Sequence, residues 1–102
     1  MNPLIQDNIE AIIDLCREYG VVRLEVFGSV MTDQFDSSPS DVDFIIEYPP
    51  DYDFGHWLHR YFELRERLES LLGRSVDLVM VDAMKPRFIA VANETRQLLY
   101  AA

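Results

Sequence analysis

The stretch Ser40-Asp41-Val42-Asp43-Phe44-Ile45-Ile46 decides the fold, because it joins a polar loop to a run of apolar and β-branched residues. That run predicts a strand over residues 42–48. Residues two apart on a strand point to the same side, so the carboxylates of Asp41 and Asp43 face one small volume about 7 Å apart. The sequence therefore predicts a strand that presents two carboxylates where it begins.

Apolar residues at helical spacing predict a helix on each side of this strand. The first is predicted over residues 4–19, and Gly20 is a natural C-terminal stop. The second is predicted over residues 54–72, with Trp57 in its apolar stripe and Gly73 as its stop. Two shorter helices are predicted over residues 29–35 and 84–95.

Three further strands complete the predicted sheet. Alternation over residues 22–27 predicts a strand whose wetter face carries Arg23 and Glu25. β-Branched residues predict a strand over 76–81, and residues 97–101 could add a short edge strand. The order of elements predicts an α+β fold: a small mixed sheet of three to four strands with helices mainly on one face. The other face is expected to be open for chemistry.

Length and charge narrow the class of protein. With 102 residues, the chain is expected to form a single domain over residues 1–102. A formal net charge of −9 argues against a protein that binds nucleic-acid backbone, because that affinity depends on Lys and Arg. Cys16 is the only cysteine, so we expect an inert core thiol, no disulfide within the chain and a reducing, cytoplasmic setting. No export signal or membrane-spanning run is present in the sequence, and no membrane association is expected.

The carboxylates indicate a site for a divalent cation. Two carboxylates facing one volume repel each other unless a cation neutralises them, and Mg²⁺ prefers such oxygen ligands. Asp77 becomes a third carboxylate if its strand lies beside the strand of Asp43, and it could then share a metal or deprotonate an attacking hydroxyl. The alternatives are a solvated loop end for Asp41 and Asp43, and an Asp77 that pairs with Arg74 or caps a turn.

Gly28 and Ser29 stand where the first strand turns into the predicted short helix. Glycine lets a phosphate approach the backbone, and the exposed N–H groups and the Ser29 hydroxyl can donate hydrogen bonds to it. The alternative is a glycine that serves only the conformation of the turn.

Together these segments resemble the polymerase-beta-type nucleotidyltransferase superfamily. The resemblance is carried by Phe27-Gly28-Ser29, by the stretch from Ser40 to Ile46 and by Ser75-Val76-Asp77-Leu78-Val79. It covers almost the whole chain, and it is strongest toward the minimal nucleotidyltransferase branch, the antitoxin partners of HEPN-domain toxins. The segment from Lys85 to Tyr100 is similar to the closing segment of that branch.

The resemblance implies a set of roles. Asp41 and Asp43 would bind two Mg²⁺ ions, Asp77 would bind the catalytic one, and Gly28 and Ser29 would hold the outer phosphates of ATP. The implied reaction transfers AMP from ATP to a hydroxyl, typically of a tyrosine, on a partner HEPN toxin and so neutralises it. The implied assembly is a hetero-oligomer with that toxin.

One segment departs from the pattern of the branch. Its members commonly follow Gly-Ser with a small or basic residue and then Arg-Gly, whereas Val30-Met31-Thr32-Asp33 stands here. Arg74, Lys85 or Arg87 could supply the missing positive charge from elsewhere in the fold. The alternative is a catalytically inactive antitoxin that neutralises its toxin by direct binding, for which the net charge also argues.

The remaining candidates are less specific. His56 and His59 are three residues apart and could share a helix face, but a surface or packing role is favoured over metal binding. A run of aromatic residues is expected to pack in the core and loops, with any excess suited to a protein interface. These residues are Tyr48, Tyr52, Phe54, Trp57, Tyr61 and Phe62.

Overall fold

A computed structural model describes residues 3–27, 42–81 and 96–102 of the chain. Within these ranges four strands form one mixed sheet: β1 (Arg23–Phe27), β2 (Val42–Glu47), β3 (Val76–Met80) and β4 (Gln97–Ala101). Their order across the sheet is β3-β2-β1-β4. The inner strand β1 runs antiparallel to both β2 and β4, whereas β2 and β3 are parallel. The predicted α+β fold is confirmed.

In the same described ranges, three helices and one short turn accompany the sheet. They are α1 (Pro3–Gln6), α2 (Ile9–Glu18), a 3₁₀ turn (His56–Leu58) and α3 (His59–Leu72). The short helices predicted over 29–35 and 84–95 lie outside the described residues.

The predicted first helix is two helices. The chain breaks at Asp7 and Asn8, between α1 and α2. The Asn8 side-chain amide donates a hydrogen bond of 2.7 Å to the carbonyl oxygen of Leu4, one turn back. The asparagine side chain thus bonds to a backbone carbonyl that a continuous helix would use for its own hydrogen bonds. The spacing of apolar residues, from which one helix was predicted, does not reveal this competition.

Glycine ends both long helices as predicted. After α2, Gly20 has a φ of 68°, and the N–H of Val21 reaches back to the carbonyl of Cys16 at 2.9 Å. After α3, Gly73 has a φ of 67°, and its N–H bonds to the carbonyl of Glu69 at 2.8 Å. The left-handed conformation is open to glycine without steric cost, so both predicted stops are confirmed.

The start of the second long helix was predicted wrongly. Trp57 and Leu58 have φ values of 54° and 56°, in the left-handed region, and α3 begins only at His59. The backbone therefore leaves the helical path before α3. Trp57 falls outside the apolar stripe and is 93% exposed, whereas the buried stripe of α3 is Leu64, Leu68 and Leu72.

The core lies between the helices and one face of the sheet. α2 and α3 both pack against this face, and Tyr19 at the end of α2 is 1% exposed. Cys16 belongs to this core, where burial raises its pKa to about 12, so the thiol stays protonated near neutral pH. The strand residues that face this core include Leu24, Val26, Val42, Phe44, Ile46, Val76, Leu78 and Leu99.

The second face of the sheet is not open at its centre. Ile45 is 1% exposed, Glu25 3% and Phe27 6%. The run around Ile45 is therefore buried on both faces, as a continuous apolar run allows. The predicted wetter position of Glu25 is wrong, since ionic partners allow that carboxylate to be buried. The face that was expected to be open is closed at its centre and stays exposed at Asp77.

Candidate active site

Two of the predicted carboxylates lie side by side on neighbouring strands. Parallel pairing of β2 with β3 sets Asp43 directly opposite Asp77, with Val42 opposite Val76 just before them. Neighbouring strands lie about 4.8 Å apart, and paired residues point to the same face. Asp77 was predicted as a third carboxylate if its strand lies beside that of Asp43, and this condition is met. Asp41 lies outside the described residues.

The burial pattern explains the direction of both carboxylates. Val42, Phe44, Val76 and Leu78 face the helices and are buried, so Asp43 and Asp77 face the other way. Asp43 is half-buried and Asp77 is exposed. The side chain of Asp77 stays in contact with solvent, because β3 is an edge strand of the described sheet.

Tyr61 connects α3 to this part of the sheet. Its hydroxyl donates a hydrogen bond of 2.5 Å to the carbonyl oxygen of Leu78, the residue after Asp77. Burial raises the pKa of the Tyr61 hydroxyl, and the negative charge of Asp77 raises it further. The aromatic run alone gave no sign of this contact, because nothing in its spacing distinguishes Tyr61 from a core residue.

The two described carboxylates offer oxygen ligands of the kind that Mg²⁺ prefers. In the stretches that the structure describes, no group of three or more His, Cys, Asp or Glu side chains is arranged so that it could hold a metal ion. Several predicted participants lie outside those stretches, and nothing is established about their placement: Gly28, Ser29, Val30, Met31, Thr32, Asp33, Asp41, Lys85 and Arg87.

A buried ionic cluster lies on the same sheet face as Asp43. Glu25 accepts hydrogen bonds from Arg96 at 2.5 and 2.7 Å and from Arg23 at 2.8 Å. These bonds, led by those from Arg96, lower the pKa of Glu25 from 4.5 to about 2, although burial opposes them. The cluster joins β1 to the start of β4. Sequence reasoning missed it, because Glu25 and Arg96 are 71 positions apart.

The positions of the two histidines agree with the surface or packing role that was favoured over metal binding. His56 is exposed in the 3₁₀ turn, and His59 contacts Glu63 one helical turn later at 3.0 Å. Their backbones no longer share a helix face, because the left-handed residues Trp57 and Leu58 stand between them. A surface role therefore fits both side chains.

The aromatic run divides into a packed part and an exposed part. Tyr48, Tyr52 and Phe54 pack together with ring centroids 4.6 to 4.8 Å apart. Trp57 and Phe62 are 93% and 45% exposed. Both halves of the prediction are confirmed: most rings pack, and the excess stands on the surface.

The described strands thus form a mixed four-stranded sheet that has its long helices on one face and an Asp on each of two neighbouring parallel strands. The chain belongs to the family described as nucleotidyltransferase domain, whose model matches residues 9–99. The predicted resemblance to the nucleotidyltransferases is thereby confirmed.

Individual relatives agree with this assignment. The protein adenylyltransferase MntA of Thermococcus cleftensis is 36% identical over 90 residues, which cover 83% of this chain and 86% of MntA. The solved structure of a candidate minimal nucleotidyltransferase matches with a TM-score of 0.74 at 28% identity and 95% coverage of both chains. A chain in the solved complex of a tri-AMPylated Shewanella oneidensis HEPN toxin with its MNT antitoxin matches with a TM-score of 0.67. That match covers 95% of this chain and 72% of the other at 22% identity, a likeness of fold.

Among the helices in the described ranges, none combines the length and apolar character needed to cross a membrane.

Proposed function

We propose that this chain transfers AMP from ATP, with the help of Mg²⁺, to a tyrosine hydroxyl of a HEPN-type toxin and so neutralises the toxin. The observation that carries the proposal is the pairing of Asp43 with Asp77 on parallel strands, which directs both carboxylates to one face of the sheet. Two acidic residues that lie side by side on hydrogen-bonded strands keep a fixed spacing, whereas carboxylates on flexible surface segments do not.

The donor set fits the metal. Asp43 and Asp77 supply carboxylate oxygens near solvent, where phosphate and water can complete an octahedral shell. Asp41, two residues before Asp43, is proposed as a further ligand, so that Asp41 and Asp43 serve two ions and Asp77 serves one of them. When bound, Mg²⁺ would offset the charge of the carboxylates and of the triphosphate.

The residues of the chain have separate roles in the proposed reaction. Gly28 and Ser29 would donate hydrogen bonds to the outer phosphates of ATP. Asp77 would accept the proton of the acceptor hydroxyl. The hydroxyl oxygen then forms a bond to the α-phosphorus, the bond from that phosphorus to pyrophosphate breaks, and pyrophosphate leaves with its electron pair.

The names of the relatives support the choice of donor and acceptor. MntA of Thermococcus cleftensis is a protein adenylyltransferase, which corresponds to AMP as the transferred group. The Shewanella oneidensis toxin in complex with an MNT antitoxin is tri-AMPylated, which corresponds to a toxin as the acceptor. A hetero-oligomer of this chain with its toxin follows from the same reasoning.

The test is intact-mass spectrometry of the HEPN-type toxin after incubation with Mg²⁺, ATP and the wild-type chain, Asp43→Asn or Asp77→Asn. The wild type should add one or more AMP units to the toxin. Loss of a general base lowers rates by roughly 10²- to 10⁴-fold, so Asp77→Asn should slow the addition at least that much. Asp43→Asn should also abolish the thermal stabilisation of the chain by Mg²⁺ with ATP.

Asp51→Asn is the matched control, because Asp51 is an exposed carboxylate in the loop after β2. It should modify the toxin at the wild-type rate. Modification that continues unchanged in Asp43→Asn and Asp77→Asn would remove both residues from the mechanism.

A second candidate function rests on the net charge of −9 and on Val30-Met31-Thr32-Asp33 in place of a basic segment. In that case the chain neutralises a basic toxin by contact alone. It predicts that Asp43→Asn combined with Asp77→Asn still protects cells from the toxin. Loss of protection with retained toxin binding would reject it in favour of catalysis.

A further inference from the structure

Two side chains of α3 bond to the backbone of β3, one on each side of Asp77. The Tyr61 hydroxyl donates a hydrogen bond of 2.5 Å to the carbonyl oxygen of Leu78, the residue after Asp77. The Oε2 atom of Glu69 accepts a hydrogen bond of 3.0 Å from the N–H of Val76, the residue before Asp77. We name Tyr61 and Glu69 the clamp, because together they bind the backbone on both sides of this one residue.

The clamp bonds to the side of β3 that faces away from β2. The carbonyl of Ser75 accepts a hydrogen bond of 2.8 Å from the N–H of Val42, so it points toward β2. Backbone groups of successive residues point to alternate sides of a strand, so the N–H of Val76 and the carbonyl of Leu78 point the other way. Among the described strands, β3 is an edge strand with β2 as its neighbour. The clamp therefore supplies hydrogen bonds of the kind that a second neighbouring strand would provide.

The clamp belongs to a helix that the core fixes in place. The buried stripe of α3 is Leu64, Leu68 and Leu72. Tyr61 and Glu69 are half-buried on the same helix, and the second oxygen of Glu69 lies 4.0 Å from Nε of Arg65, one turn earlier. Groups on a packed helix are positioned more precisely than groups on a loop. The clamp thus ties β3 to a rigid part of the molecule.

The carboxylate of Asp77 lies on the other face of the sheet from α3, so the clamp acts on it through the backbone. The N–H and carbonyl of Asp77 itself point toward β2, where Asp43 lies directly opposite. Hydrogen bonds on both edges of β3 restrict the movement of this backbone more than bonds on one edge alone. The clamp therefore restricts changes in the distance between Asp77 and Asp43.

We propose that Tyr61 and Glu69 are positioning residues for AMP transfer, because they keep the carboxylate of Asp77 at a fixed distance from that of Asp43. This inference rests on the proposed function for the identity of the reaction. Catalytic groups must be held to within about half an ångström, and a displacement of about 1 Å can cost roughly 100-fold in rate. The clamp therefore affects the chemical step, whereas binding of the toxin does not depend on it.

The test replaces each clamp residue by one of similar size that cannot form its bond, Tyr61→Phe and Glu69→Met. Each should lower kcat for AMP transfer to the HEPN-type toxin by roughly 10- to 100-fold, while the KM for toxin stays within about twofold of the wild type. Glu69→Gln keeps an oxygen that can accept from Val76, so it should retain most of the wild-type rate. In the Asp77→Asn chain, Tyr61→Phe should cause no further loss, because the clamp acts through Asp77.

Two control variants separate positioning from a general effect on stability. Glu66→Met makes the same substitution at an exposed position of α3. Tyr52→Phe removes a hydroxyl that joins the loop after β2 to the carbonyl of Tyr19 at the end of α2. Both should keep the wild-type kcat, although Tyr52→Phe should lower the melting temperature. Wild-type kcat in both clamp variants would overturn the proposal, as would an equal fall of kcat in Tyr52→Phe.

Hydrogen exchange at the amide of Asp77, followed by nuclear magnetic resonance, measures the effect of the clamp without any reaction. Exchange should be about 10-fold faster in Tyr61→Phe and Glu69→Met and should keep the wild-type rate in Glu69→Gln. An unchanged rate in both clamp variants would also overturn the proposal. If exchange becomes faster as expected but the wild type transfers no AMP, the proposed reaction is rejected while the clamp is still shown to fix Asp77.

Discussion

The buried ion pair between Glu25 and Arg96 should contribute a large part of the stability of this chain. Glu25 is 3% exposed, and two of its three ionic hydrogen bonds come from Arg96. Arg96→Met removes these bonds and leaves a buried carboxylate that keeps its ionic contact with Arg23. Breaking one side of a buried pair costs roughly 3–5 kcal/mol, because the other charge remains in a poorly solvating environment.

The pKa of Glu25 gives a second measure of the same interaction. It lies at about 2 in the folded chain instead of 4.5. That difference corresponds to about 3 kcal/mol of stability. Because the folded pKa is the lower one, the contribution is complete above pH 4.5 and is lost as the pH falls toward 2. The wild type should therefore lose stability across this window, and Arg96→Met should lose much less there.

Urea unfolding followed by far-ultraviolet circular dichroism at pH 7, 4 and 2.5 measures both effects. The double variant Glu25→Leu with Arg96→Met should recover most of the stability at pH 7, because apolar side chains then replace the whole pair. Arg17→Met is the control, since its 3.9 Å contact with Asp14 is exposed and should contribute under 1 kcal/mol. The reasoning is refuted if Arg96→Met is within 1 kcal/mol of the wild type at pH 7 and keeps the wild-type acid sensitivity.

Two further substitutions and one labelling experiment test the fold. Gly73→Ala should lower the free energy of unfolding by about 1 kcal/mol in urea titrations, because its φ of 67° disfavours a side chain; an unchanged midpoint would contradict this. Leu68→Ala, at a side chain that is 1% exposed, should cost roughly 2–5 kcal/mol by the same assay, and a cost under 1 kcal/mol would mean that the core refills the space. Cys16, buried and with a pKa of about 12, should resist iodoacetamide at pH 8 until urea unfolds the chain; rapid labelling of the folded chain would show that the thiol is accessible.

Local patterns predicted the elements of this fold well. Strand β4 has the predicted bounds, and Gly20 and Gly73 end their helices as expected. These features depend on neighbours within a few residues, which a sequence displays directly. The break at Asn8 and the left-handed turn at Trp57 are also local features. They depend on which hydrogen bonds and backbone angles the residues adopt, and the spacing of apolar residues carries no information about either.

Long-range partners could not be predicted in the same way. Arg96, a main partner of Glu25, lies 71 positions away in sequence, and either residue alone resembles an ordinary surface charge. The alternation of residues 22–27 therefore predicted a wetter face for Glu25, although its side chain is buried. The contact of Tyr61 with Leu78 was missed for the same reason, since it depends on how α3 lies against β3.

The Asp43–Asp77 pair could be predicted in part: the sequence pattern indicates the direction of each side chain but not their alignment. Val42 and Phe44 must face the core, as must Val76 and Leu78, so both carboxylates necessarily point to the opposite face. A slip of β3 against β2 by one residue would bring an aspartate toward the core, and burial of an unpaired carboxylate excludes it. A slip by two residues keeps every side chain on its proper face. The observed register, with Asp43 opposite Asp77, is therefore the one feature of the pair that only the packed structure supplies.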